Sequence, residues 1–317
     1  MSAAIVLEFS IFKTHLSNIQ IISSAAMAID GYGDICHIVD LKVGRWVNVT
    51  YDTPPYTPMV GEVQQKKCLD FKPHVSFHTW EWEPKVVQEK GCEFSRFSNI
   101  SYCQLMRNKT VAIVGDSISF DHYLSLSHLL GVPRALPRAR NKNAILTSQV
   151  CSDSSLVIGK RDFHLNYVQE IVDEYFPDVL VLNRGAHYVD SDQFLHHMVN
   201  RVFPILNGWQ HKCTMNNREC LLVWRTTVPG HPSCEQYSEP SNSLAEMEDL
   251  VCNKYINSSY NWDKFSNQNV IILDALDQAN LTHEVMDAYF VNILRPDLHR
   301  GGDFLHTVRC VLNYLDH

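Results

Sequence analysis

A chain of 317 residues, 45% hydrophobic and 20% charged, has an ordinary globular balance and enough length for one large α/β domain or two small ones. Its formal charge of -8, from 27 Lys and Arg against 35 Asp and Glu, lacks the basic footprint that a general nucleic-acid binder or an anionic membrane surface requires. Small or neutral polar partners stay open, and no apolar run reaches the roughly eighteen residues that a membrane-spanning helix needs.

Residues 1–33 combine an apolar run from Ala3 to Phe12, broken by Glu8, with a second from Ile21 to Ala28. No basic segment precedes either run, so this part reads as a stem or signal remnant rather than a signal peptide. Residues 34–104 are rich in Cys, Pro and aromatic residues, which predicts loops and short strands wrapped on a main domain. From residue 105 onward the pattern turns to alternating strands and helices. Thr110 to Val114 is a short apolar run with no polar alternation, as in a strand covered on both faces, and Asp121 to Leu130 reads as the helix behind it. Ser155 to Ile158 is a short strand, Leu165 to Tyr175 a helix stopped by Pro177, and Asp178 to Asn183 a second buried strand. Ser191 to Leu206 is helical, with Ser191 or Asp192 as its cap. Leu221 to Arg225 and Val270 to Asp274 read as further strands, with a helix at Ser243 to Tyr255 between them and an apolar helix from Leu305 to Leu315 at the end.

The ten cysteines, at 36, 68, 92, 103, 151, 213, 220, 234, 252 and 310, contain no CxxC pair or zinc-like doublet, which argues against a metal site. Five Asn-x-Ser/Thr sequons, at Asn48, Asn99, Asn108, Asn257 and Asn280, accompany this even set of cysteines. Together they predict the oxidising lumen of the secretory pathway and a disulfide framework whose pairing spacing alone does not give.

A parallel sheet puts its ligand crevice outside the carboxyl ends of its strands. Gly115-Asp116-Ser117 occupies such an end: Gly115 permits a sharp turn, Asp116 can cap the next helix, and Ser117 lands where backbone N–H groups favour negative charge. That suits a nucleophile whose attack creates an oxyanion, although any strand-turn-helix corner favours the same three residues. Asn183 ends the next strand, either as an amide donor to an oxyanion or as a turn residue bonding its own backbone. Arg225 and Thr226 end the third. Near the C-terminus stand two Asp/His pairs. Asp297/His299 is flanked by charge and reads as a rim element. Asp303/His306, at a Gly-rich entry to the last apolar segment, can supply an imidazole base and the carboxylate that orients it.

Gly-Asp-Ser after a strand, a strand ending in Asn and a C-terminal Asp-x-x-His resemble the SGNH/GDSL hydrolase superfamily. The likeness is nearer to its PC-esterase branch, which contains the trichome birefringence-like polysaccharide O-acetyltransferases. Further segments carry it: Gly44-Arg45-Trp46-Val47 after Cys36, Trp80-Glu81-Trp82-Glu83-Pro84 before Cys92, Asn183-Arg184-Gly185-Ala186-His187-Tyr188, Arg225-Thr226-Thr227-Val228-Pro229-Gly230-His231, and Asp303-Phe304-Leu305-His306 with Cys310. The chain departs from that pattern at Ser119-Phe120-Asp121, where the plant proteins have Ser-Arg-Asn, and at Phe304 and Thr307, where they have Cys and Trp.

The resemblance implies a three-layer α/β/α SGNH (flavodoxin-like) parallel sheet with a disulfide-stapled N-terminal extension. A PC-esterase/SGNH-like unit would then cover residues 34–317, with 34–104 wrapping an α/β core at 105–317. It implies Ser117 as nucleophile, His306 as base and Asp303 as its orienting acid. The oxyanion hole would comprise Ser117, Asn183 and Gly185, with Gly159 the alternative glycine, and substrate contacts would come from Asp116, Arg184, His187, Arg225 and His231. It further implies an O-acetyltransferase of the Golgi lumen with a glycan acceptor, no tightly bound cofactor, and an acetyl donor such as acetyl-CoA as cosubstrate. Any membrane association would come only through a missing N-terminal anchor. A secreted carbohydrate acetylesterase and an inactive glycan-binding module are the alternatives.

Overall fold

The computed structural model describes residues 44–51, 77–85, 97–132, 144–188, 190–253, 261–300 and 303–307. The N-terminal segment 1–33, Cys36, Cys68, Cys92, Asn257, Cys310 and the remainder of the predicted C-terminal helix lie outside the described residues.

Strand β3 (Thr110–Gly115) lies inside a six-stranded sheet. The order is β4 (Leu146–Val150), β5 (Ser155–Arg161), β3, β6 (Val179–Leu182), β7 (Leu221–Arg225) and β8 (His283–Met286). The last five run parallel, and β4 is an antiparallel edge on β5. The apolar runs of β3, β6 and β7 show no alternation because both faces are covered. Val111 and Ile113, Val179 and Val181, and Leu221 and Val223 face one apolar layer. The intervening Ala112, Val114, Leu180, Leu182, Leu222 and Trp224 face the other.

Helices α2 (Ser117–Leu129), α6 (Leu244–Cys252) and α8 (Ala288–Ile293) pack on the first face. The second is covered by α3 (Val168–Tyr175), α4 (Ser191–His197), α5 (Phe203–Met215) and most of α7 (Phe265–Gln278). This is the predicted three-layer α/β/α arrangement.

Three local expectations are corrected. Val270 to Asp274 is not a strand; it lies in α7, and the sixth strand is His283–Met286. The apolar residues there belong to a longer helical pattern, with Phe265, Gln268, Asn269, Ile272, Ala275 and Leu276 buried at three- and four-residue spacing and Val270 left 56% exposed. The helix from Ser191 continues through a π segment at Met198–Val202 into α5, and its cap is Asp190, whose carboxylate accepts from the Asp192 and Gln193 N–H groups. The predicted final helix begins instead as strand β10 (Asp303–Thr307), paired antiparallel with β9 (His299–Arg300).

Upstream, β1 (Gly44–Tyr51) and β2 (Phe77–Pro84) form a two-stranded antiparallel ribbon. Trp46 and Trp82 sit opposite each other, edge to face at 5.5 Å. The ribbon is fixed to the first helical layer by Trp46 Nε1–H, which donates to the Val291 carbonyl at 3.2 Å, and by Trp82 against Phe290. A Cys103–Cys151 disulfide ties α1 (Asn99–Leu105) to the turn after β4, and Cys213–Cys220 ties the end of α5 to the approach to β7. The four described sequon asparagines, Asn48, Asn99, Asn108 and Asn280, are all exposed. Among the described residues no helix is long and apolar enough to cross a membrane.

Candidate active site

Ser117 is the first residue of α2, half-buried, immediately beyond the end of β3. The turn beneath it leaves no room for a side chain at Gly115, where a Cβ would lie 2.5 Å from Ser119 Oγ and 2.7 Å from the Asn183 carbonyl oxygen. Asp116, 3% exposed, caps α2 by accepting from the N–H groups of Ile118 at 2.9 Å and Ser119 at 3.1 Å. A carboxylate placed there satisfies two of the helix's orphan donors and complements its dipole.

Arg225 reaches across from the end of β7 under the same turn. Its guanidinium donates to Asp116 Oδ1 at 3.3 Å and to Ser119 Oγ at 3.0 Å, with the Arg225 and Asp116 side chains 1% and 4% exposed. A buried cation therefore neutralises the capping carboxylate and fixes the first turn of the helix that carries Ser117.

The neighbouring strand ends interlock. Asn183, 1% exposed, donates both amide protons, to the Arg225 carbonyl at 2.8 Å and to Thr227 Oγ1 at 3.1 Å. Thr227 Oγ1–H donates to the Arg184 carbonyl at 3.1 Å, while its backbone exchanges two hydrogen bonds with the Asn269 side chain on α7. Gly185 permits this approach, since a Cβ there would lie 2.3 Å from Thr227 Oγ1. Thr226 Oγ1 meets Asp287 Oδ1 at 3.2 Å and accepts from the Tyr289 N–H at 2.9 Å. Gly159 plays a different part: it lies inside β5 opposite Ile113, against the Tyr123 ring, while Gly185 stands past a strand end.

On the other side of β3, the Asp162 N–H extends the ladder to the Gly115 carbonyl at 2.6 Å. The Asp162 carboxylate turns the chain by accepting from the His164 and Tyr167 N–H groups. Arg184, 2% exposed, lies over the Tyr188 ring at 3.9 Å and donates to the His164 carbonyl and to His164 Nδ1. Burial lowers the Arg184 pKa to about 9 against the opposing charge of Asp162, so it remains cationic at neutral pH. His187 is exposed and meets Phe163 edge to face at 4.1 Å.

Of the five sequence-derived substrate contacts Asp116, Arg184, His187, Arg225 and His231, His187 alone is exposed; the other four are buried against protein partners. Asn183, with both amide protons engaged, likewise braces the β6 end against the β7 end. Ser119, Thr227 and Asn269 were not anticipated, although Ser119 stands at the capping position three residues after Asp116 and Asn269 falls on the buried face of a helical pattern.

Leu305 on β10 is 5% exposed and belongs to the same apolar cluster as Ile118 of α2. The side chains of Asp303 and His306 lie outside the described residues. The rim reading of Asp297/His299 is overturned: His299 is 2% exposed, and its Nε2 lies 2.5 Å from Nδ1 of His231, itself fully buried. Asp297 pairs instead with Arg295, at 2.8 and 2.9 Å, and Arg295 lies over the Trp46 ring at 4.4 Å. Among the described residues no three His, Cys, Asp or Glu side chains gather so as to hold a metal ion.

No protein-family model matches the chain. It is 35% identical over 95 residues to protein trichome birefringence-like 23 of Arabidopsis thaliana, covering 29% of this chain and 21% of that protein. Over 94 residues it is 31% identical to xyloglucan O-acetyltransferase 3 of Populus trichocarpa, covering 29% of this chain and 20% of the relative. A longer match, 24% identical over 242 residues, links it to protein trichome birefringence-like 40 of Arabidopsis thaliana, with 73% of this chain and 57% of that protein covered. The matched stretches therefore span about a fifth of the first two relatives and about half of the third.

Proposed function

We propose that this chain, which over part of its length is similar to trichome birefringence-like proteins, is an O-acetyltransferase that moves an acetyl group to a glycan hydroxyl through an acyl-enzyme on Ser117. The observation that carries this reading is the placement of Ser117 at the junction of β3 and α2, over a turn held by the Asp116 cap and the buried Arg225. One relative is named for O-acetyl transfer to xyloglucan, which supports a glycan acceptor.

In the proposed reaction Ser117 Oγ attacks the acetyl carbonyl while its proton passes to His306, held in orientation by Asp303. The tetrahedral oxyanion is stabilised by the Ser117 and Gly185 backbone N–H groups, with Asn183 holding the Gly185 segment in place through Thr227. The donor's leaving group departs with the proton from His306. A sugar hydroxyl then attacks the acetyl-serine, gives its proton to His306 and leaves as the acetate ester, returning the proton to Ser117. The donor, acetyl-CoA or another acetyl carrier, is a cosubstrate. The disulfides and exposed sequon asparagines support a lumenal setting, which we assign to the Golgi.

The test is to incubate the chain with acetyl donors, with and without xyloglucan oligosaccharides, and to follow acetylation of Ser117 by peptide mass. Transfer through an acetylated Ser117 is expected, and Ser117→Ala should abolish it with the thermal midpoint unchanged within a few degrees. Turnover retained in that variant would eliminate the nucleophile, and hydrolysis without transfer would make the protein an esterase.

A further inference from the structure

The tail that carries Asp303 and His306 has to be held against the sheet, and one contact stands out as the fastening. His231 follows β7 in a loop fixed at two points. Thr227 exchanges backbone hydrogen bonds with Asn269, and Gly230 is pressed so closely on Trp262 that a Cβ would lie 2.4 Å from the ring. His231 Nε2 lies 2.7 Å from the Ile293 carbonyl, which can only accept, so Nε2 carries the proton. Nδ1 of a neutral His231 is then an acceptor, and the group 2.5 Å away, His299 Nε2, must be the donor. The tautomers of both rings are thereby specified by one carbonyl. The bond joins residues 68 apart and links two elements that the sheet itself does not connect.

His299 is also the β9 residue paired with Thr307 of β10, the chain neighbour of His306. We propose that His231 and His299 are positioning residues, whose buried imidazole–imidazole hydrogen bond fastens the β9/β10 ribbon to the loop after β7 and so holds His306 in register with Ser117. The inference rests on the acyl-enzyme reading for its catalytic consequence, but not for the fastening itself. An apolar contact of the same size would fill the space. It would not fix the direction of His299, because the direction comes from a single donor meeting a single acceptor.

The experiment compares the full chain with His299→Phe, which keeps a ring and removes the donor, and with His299→Gln, which restores an N–H at similar reach. Two readouts are taken: hydrogen exchange across residues 299–307, and kcat and KM for acetyl-Ser117 formation from 4-nitrophenyl acetate. For His299→Phe, exchange should quicken in residues 299–307 while β3 and β7 stay protected, and kcat should fall about tenfold or more with KM within about twofold. His299→Gln should recover most of both. Unchanged exchange in His299→Phe, or no recovery in His299→Gln, overturns the fastening. Quickened exchange at constant kcat overturns the catalytic role. A wild-type chain that never acylates Ser117 removes the acyl-enzyme reading and this catalytic role with it, while the exchange data still decide the fastening.

Discussion

The two anchorages of the crevice use opposite chemistry. Under Ser117 the fastening is ionic: a buried guanidinium, a capping carboxylate and a hydroxyl, drawn from the ends of β3 and β7. At the tail it is neutral: two imidazoles and a carbonyl, with the Arg295/Asp297 pair over Trp46 beside them. A buried ion pair is demanding because loss of either member strands a charge, whereas a neutral pair is vulnerable to a proton. The Ser117 end should therefore be sensitive to mutation, and the tail end should respond to pH.

The largest effect is expected from Arg225→Met, which removes the cation and leaves Asp116 buried without it. Breaking such a pair from one side costs about 3–5 kcal/mol. Urea unfolding should show that loss, together with weakened protection of the first turn of α2. Since Asp116 and Arg225 act on one helix turn, adding Asp116→Asn should recover part of the loss, because the stranded charge disappears. A double variant no more stable than Arg225→Met would show that the two side chains act independently.

Acid provides the second test, at the tail. Burial holds the His231 pKa down at about 4, with the Ile293 carbonyl and the charge of Asp297 acting the other way. Arg295 sits on Asp297, and His299 is the ring in direct contact. An unfolded chain takes up a proton on His231 near pH 6.5, while the native chain refuses it until about 4. Stability contributed by this site is thus complete above about 6.5 and falls through the window down to about 4, by about 1.4 kcal/mol per pH unit. His231→Gln keeps a donor and an acceptor and does not titrate. Its urea midpoint should fall less steeply between pH 6.5 and 4.5 than that of the wild type. Parallel curves would relieve His231 of any part in the acid response.

The difference between the two anchorages also explains how far the sequence could be read. The Ser117 end is built from contiguous residues: an apolar strand, a glycine, a cap and a helix follow one another from Thr110 to Leu129, so local pattern located that strand-turn-helix corner. The layers followed for the same reason. What local pattern missed is made of partners far apart in the chain. Arg225 has the residue type of a substrate contact, and only its reach to Asp116, 109 residues away, turns it inward. Likewise, charge on both sides of His299 suggested a rim, whereas Arg295 and Asp297 neutralise each other and leave the imidazole to His231. The strand misread at Val270 to Asp274 came from too short a window, since four apolar neighbours fit either period until Phe265 and Leu276 are included.

The smallest effect sharpens the comparison by asking how much the N-terminal ribbon contributes to the tail. Trp46 touches both Arg295 and α8: its ring lies under the guanidinium and its Nε1–H bonds the Val291 carbonyl. Trp46→Phe keeps an aromatic face for Arg295 and the edge contact with Trp82 but forfeits the hydrogen bond, a loss of about 1 kcal/mol. The thermal midpoint should drop by a few degrees, and exchange should quicken around Val291 while the turn under Ser117 stays protected. If α2 loosened as well, the two anchorages would form one cooperative unit, and the separation of ionic front from neutral tail would describe their chemistry without describing their mechanics.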